Sequence, residues 1–116
     1  MLPALRSSNR KNQMITTPTV GRKVWYRPSA SERVGENAIV ASTDQPTDAT
    51  IVAVWGDRCV NLVIFDGNGK KHVRMSAYLR QDDEELPSWV TGYAEWMPYQ
   101  LKQAVKHAAE GEVAKD

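Results

Sequence analysis

The chain has 116 residues, 41% hydrophobic and 25% charged, which bounds it to one ordinary globular domain with a core of modest size. Fifteen Lys and Arg against fourteen Asp and Glu leave a net charge of +1, which removes any bulk electrostatic case for nucleic acid or a membrane surface. The single cysteine, Cys59, rules out an intrachain disulfide framework, and with no apolar run long enough to span a bilayer and no apolar leader the expectation is a cytoplasmic protein.

In chain order, residues 1–17 carry Arg6, Arg10 and Lys11 without an acidic residue and read as a flexible basic arm. The expected domain runs over 18–110, with 111–116 as a fraying tail. Val20–Pro28 reads as a first strand, rich in extended-chain formers at Val24, Trp25 and Tyr26 and ended by Pro28. Residues 29–47 form a long polar connection of the length that often serves function, with room for a short strand at Ala38–Ala41.

The segment Asp48–Leu79 is the most informative. It reads as three antiparallel strands joined by Gly56-Asp57, a two-residue hairpin turn, and by Asp66-Gly67-Asn68-Gly69. Taking those residues as the loops pairs Ala53 with Val60, Ile51 with Leu62 and Ala49 with Ile64. It then pairs Phe65 with Lys70, Val63 with His72, Leu62 with Val73, Asn61 with Arg74, Val60 with Met75 and Cys59 with Ser76. In this register Ala49, Ile51, Ala53, Val60, Leu62, Ile64, Val73 and Met75 form the apolar face. The other face is mixed and carries Asn61, His72, Arg74 and Ser76.

Residues 80–92 form a second linker, whose acidic run Asp82-Asp83-Glu84-Glu85 reads as a solvated loop. A C-terminal helix is expected over about 97–110, with Pro98 suited to its first turn and Leu101, Ala104, Val105 and Ala108 on one stripe. Strand, long loop and three-strand meander amount to a mainly β fold, a small SH3-like barrel with a C-terminal α-helix. An open sheet packed under that helix is the alternative.

The stretches Val20-Gly21-Arg22-Lys23-Val24-Trp25-Tyr26-Arg27-Pro28-Ser29, Ala53–Leu62, Phe65–Gly69 and Gly92–Gln100 resemble a group of small phage and prophage proteins, largely uncharacterised. The resemblance implies a phage or prophage origin and carries over no catalytic residue. By class-level analogy it implies counter-defence, host takeover or virion assembly.

The residues contain no nucleophile elbow, phosphate-binding loop or dinucleotide fingerprint, and Cys59, His72 and His107 lack metal-ligand spacing, so neither an enzyme nor a cofactor or metal is expected. Binding has the better case. Asn61, His72, Arg74 and Ser76 supply donors and acceptors at neighbouring cross-strand positions, and Arg58, Trp55, Trp25 and Arg27 add cations beside aromatic faces. Trp89, Tyr93, Trp96 and Tyr99 form a second aromatic group, suited to packing at the entry of the helix or to an interface, including a homo-oligomer. The expected function is a non-enzymatic accessory binding protein that blocks a host protein or sequesters a small anionic or nucleotide signal. A virion assembly protein and a nucleic-acid-binding module are the alternatives.

Overall fold

A computed structural model describes residues 15–42 and 44–98. Five strands, β1 (Lys23–Arg27), β2 (Thr47–Gly56), β3 (Cys59–Phe65), β4 (Lys71–Arg80) and β5 (Tyr93–Glu95), close into a barrel in the order β1-β2-β3-β4-β5. All neighbours run antiparallel except β4 and β5, which are parallel, and β5 returns to pair with β1 and complete the circuit. The closed barrel replaces the open-sheet alternative. The expected helix over 97–110 lies, beyond Pro98, outside the described residues, as do most of the basic arm and the tail.

The interior is filled by the alternating residues of each strand. Val24, Ile51, Val60, Leu62, Ile64 and Leu79 are fully buried, joined by Tyr26, Ala49, Ala77, Ala94 and Trp96. Each large aliphatic side chain removed from water contributes about 2 kcal/mol. Ile39, in the long connection after β1, is also fully buried and caps this core. It belongs to no strand, so the short strand expected at Ala38–Ala41 is corrected to an irregular segment pinned by backbone bonds from Ile39 N–H to Glu32 C=O and from Gly67 N–H to Val40 C=O.

The meander keeps the expected pairs Ala49–Ile64 and Ile51–Leu62, but two irregularities in β2 shift the rest, so Ala53 lies across from Asn61, Val54 from Val60 and Gly56 from Cys59. The turn is therefore Asp57-Arg58 rather than Gly56-Asp57. The second hairpin is longer than expected by one residue, with Phe65 across from Lys71. The cause is the Asp66 carboxylate, whose Oδ1 accepts the amides of Asn68 (2.9 Å) and Lys70 (3.0 Å) and folds Lys70 into the turn.

A one-residue slip exchanges the faces of a strand. His72 turns inward, while Val73 and Met75 turn outward and are exposed, against the expectation that they join the core. Between Val60–Ala77 and Leu62–Arg74 β4 then carries one extra residue. Ser76, at φ +53°, is the unusual residue of this bulge, and beyond it Ala77 and Leu79 face the core again.

Candidate functional site

The register decides where the predicted residues go. Asn61 and Arg74 are not across from each other: Arg74 lies across from Leu62, on the side of β4 that faces inward. His72 is 8% exposed and does not share a surface with Asn61 and Ser76. Its ring Nε2 donates to Asp66 Oδ2 at 2.9 Å, and the same carboxylate oxygen accepts the Val40 amide at 3.2 Å. His72 foremost, and the amides of Val40, Lys70 and Asn68, hold the Asp66 carboxyl well below the usual carboxylate range, against the opposing effect of burial. This pair locks the connection after β1 onto the β3–β4 hairpin.

Asn61 has a local task. Its side-chain oxygen accepts from Trp55 Nε1 at 3.0 Å and from the Ser76 amide at 2.7 Å, and so satisfies the backbone at the bulge. Arg58 is held by Glu84 through Nε (3.0 and 3.1 Å) and Nη2 (2.9 Å), and Tyr78 donates its hydroxyl to the same carboxylate at 2.9 Å. Burial works against the charge of Glu84, but the Arg58, Gln81-amide and Tyr78 hydrogen bonds outweigh it and lower its pKa. Glu84 is thus a structural acceptor, which corrects the expectation that the whole acidic run is solvated. Arg27 pairs with Glu95 and lies 5.8 Å from the ring centre of Trp25, so this cation–aromatic pair belongs to β1 and β5 rather than to the Asn61 surface.

The aromatic group near the C-terminus divides. Trp96 is 2% exposed and is held by Gln81, whose Oε1 accepts its indole N–H at 3.1 Å. The buried Gln81 is fully used: Oε1 also accepts the Thr16 amide (2.9 Å), while Nε2 donates to the carbonyls of Thr16 (2.9 Å) and Asp57 (2.7 Å). Thr16, at the end of the expected arm, is thereby tied to the barrel. Tyr93 is half-buried in β5, Tyr99 lies outside the described residues, and Trp89 stands 74% exposed, edge-on to Tyr78 with ring centres 5.8 Å apart.

Trp89 borders a cleft of about 350 Å³ between the segment after β1 (Ser29, Ser31, Glu32), the middle of β4 (Arg74–Tyr78) and the approach to β5 (Trp89–Gly92). Its base is a polar network. Glu32 accepts the Tyr26 hydroxyl (2.9 and 2.8 Å), the Ser29 amide (2.8 Å) and Arg74 Nε (2.5 Å). Burial opposes the Glu32 charge, but the Ser29 amide, Arg74 and Tyr26 together lower its pKa. Burial followed by the bond to Glu32 pushes the Tyr26 hydroxyl up. Burial likewise disfavours the Arg74 cation, and the hydrogen bond and charge of Glu32 more than offset it.

Gly92 is required here, because a Cβ at this position would stand 2.3 Å from Glu32 Oε1 and 2.6 Å from the Tyr26 hydroxyl. Sequence reasoning singled out Arg74 and Trp89 but missed Glu32, Tyr26 and Gly92. They become neighbours only when the barrel closes, and no local pattern announces it. The one available signal was Glu32, one of two Glu in the long connection after β1.

Among the described residues no group of three or more His, Cys, Asp or Glu is arranged to hold a metal, and no helix is long and apolar enough to cross a membrane. Protein-family models, curated proteins and solved structures return no match to the chain.

Proposed function

We propose that the chain is a non-enzymatic binding protein that engages another protein in the cleft between Glu32, β4 and Trp89, and acts by occupancy. The observation that carries this reading is the contrast within the cleft. Its charges are internally paired, whereas Trp89 and Met75, at 74% and 72% exposure, stand at its rim as large apolar side chains. Tryptophan beside a flexible methionine is the composition of a protein-contact hot spot.

The same arrangement weighs against a small anionic or nucleotide signal. Each of the arginines that the sequence put forward to hold an anion already has a carboxylate: Arg74 has Glu32, Arg58 has Glu84 and Arg27 has Glu95. An incoming phosphate would have to displace a carboxylate that is itself hydrogen-bonded. The argument extends to a nucleic-acid backbone. The resemblance of the sequence to small phage and prophage proteins supports an accessory role in a bacterial host cell, with a host protein as the blocked partner.

The test is purification from the bacterial host followed by native mass spectrometry before and after denaturation, with wild type and Trp89→Ala side by side. A stoichiometric protein partner that the substitution releases is the expected result. A small-molecule mass that leaves on denaturation, or turnover of a nucleotide by the purified chain, would overturn the proposal.

A further inference from the structure

The barrel closes through a strand much shorter than its neighbour. β3 accompanies β4 from Lys71 to Tyr78, but β5 pairs with β4 only over Tyr78–Arg80. Among the described residues no strand lies along the other side of β4 from Lys71 to Ala77. The cleft runs beside part of this edge: Arg74, Met75, Ser76 and Ala77 line it from β4, and the segment before β5 lines it where the β4–β5 ladder begins.

An unpaired strand edge presents backbone donors and acceptors that can template another extended chain, and small domains normally blunt such edges. Two blunting devices are present. The bulge at Ser76 interrupts the regular run of the edge, and the Arg74 guanidinium folds back so that Nη1 donates to the Val73 carbonyl at 2.8 Å. The second device is reversible, because it is a single exposed hydrogen bond made by a side chain that Glu32 holds at its Nε.

Resting on the protein-binding reading above, we infer that the partner enters the cleft as an extended segment that adds to β4 along the edge that no described strand covers. Backbone hydrogen bonds along Val73–Ala77 supply the affinity, and the side chains of alternate residues supply the selectivity. One bulky apolar residue of the segment packs on Trp89 and Met75. A carbonyl or amide oxygen of the segment accepts from the guanidinium of Arg74, which turns from Val73 toward the ligand while keeping Glu32. The paired charges of the cleft select an uncharged stretch of chain, since a charged residue would be desolvated there with its counter-charges already engaged.

The probe is a display library of random linear twelve-residue peptides selected on the full chain, with Trp89→Ala as the counter-selection. The winning peptide is then resynthesised with backbone N-methyl groups on alternate residues, in both possible phases. The expected result is a winner with a large apolar residue whose binding weakens at least tenfold in one methylation phase and little in the other. It also slows hydrogen exchange at the β4 amides between Val73 and Ala77.

Equal tolerance of both phases, or protection elsewhere, would overturn strand addition and leave a protein-binding cleft standing. A selection with no winner sensitive to Trp89→Ala would also overturn strand addition. The co-purification result decides the broader reading separately, because a folded partner would still be released by that substitution.

Discussion

Asp66 and Glu32 are built on one plan and border different surfaces. Each is a carboxylate surrounded by donors: Asp66 takes the amides of Val40, Asn68 and Lys70 and the ring of His72, and Glu32 takes the Ser29 amide, the Tyr26 hydroxyl and the Arg74 guanidinium. Around Asp66 the donors seal a turn against the connection after β1, beside a smaller cleft of about 230 Å³ that Val40 and Phe65 line, each less than half exposed. Around Glu32 the donors form the base of an open cleft with Trp89 at its rim. In both regions saturated carboxylates hold the long loops of a small barrel in place, and what makes the Glu32 region a candidate site is the missing length of β5 above it.

The broadest way to break this comparison is acid. Asp66, Glu32 and Glu84 all titrate lower in the fold than their ordinary values of 3.8 and 4.5. Between the folded and ordinary pKa values the unfolded chain binds more protons, so stability there rises with pH. The stabilisation is complete above the ordinary carboxylate range and is lost as pH falls through the folded values. Urea midpoints are expected to be flat from neutral pH to about 5 and to drop steeply below it, and Asp66→Asn should lower the plateau and flatten the drop. A midpoint that is unchanged down to pH 3 would break the account.

Gln81→Leu comes next. It orphans the Trp96 indole, both backbone groups of Thr16 and the Asp57 carbonyl, and is expected to cost about 3 kcal/mol by equilibrium denaturation. Binding in the cleft should survive in the folded fraction. Gly92→Ala separates the two carboxylates more sharply. The new methyl group displaces Glu32 from Tyr26, with an expected loss of about 1–2 kcal/mol and weakened binding, while the Asp66 turn keeps its slow amide exchange at Asn68 and Lys70.

Trp89→Ala has the smallest effect on stability. Only its edge-on contact with Tyr78 is lost, which is worth about 1 kcal/mol or less, yet the partner should no longer be retained. If Trp89→Ala unfolded the chain, Trp89 would be a packing residue and the contrast between the two regions would fall.

Much of the fold was legible. The glycine-rich turns and the period-two runs located β1 to β4, and Val60, Leu62, Ile64, Ala49 and Ile51 are core residues by alternation alone. The failures in β4 share one cause. A register counted outward from a turn is only as good as the turn. Asp66 lengthened one hairpin by capping Asn68 and Lys70, so His72 went inside while Val73 and Met75 came out.

The alternation of the strands and the places of the turns, each to within one residue, follow from the sequence alone, because these depend on side-chain period and on local backbone preference. The face on which each β4 residue lies, and the meeting of Tyr26, Glu32, Arg74, Gly92 and Trp89 around one cleft, came only with the closed barrel. Bulges cost a strand little and are chosen by whichever polar groups they allow to be satisfied, and the partners that satisfy them come from segments far apart in the chain.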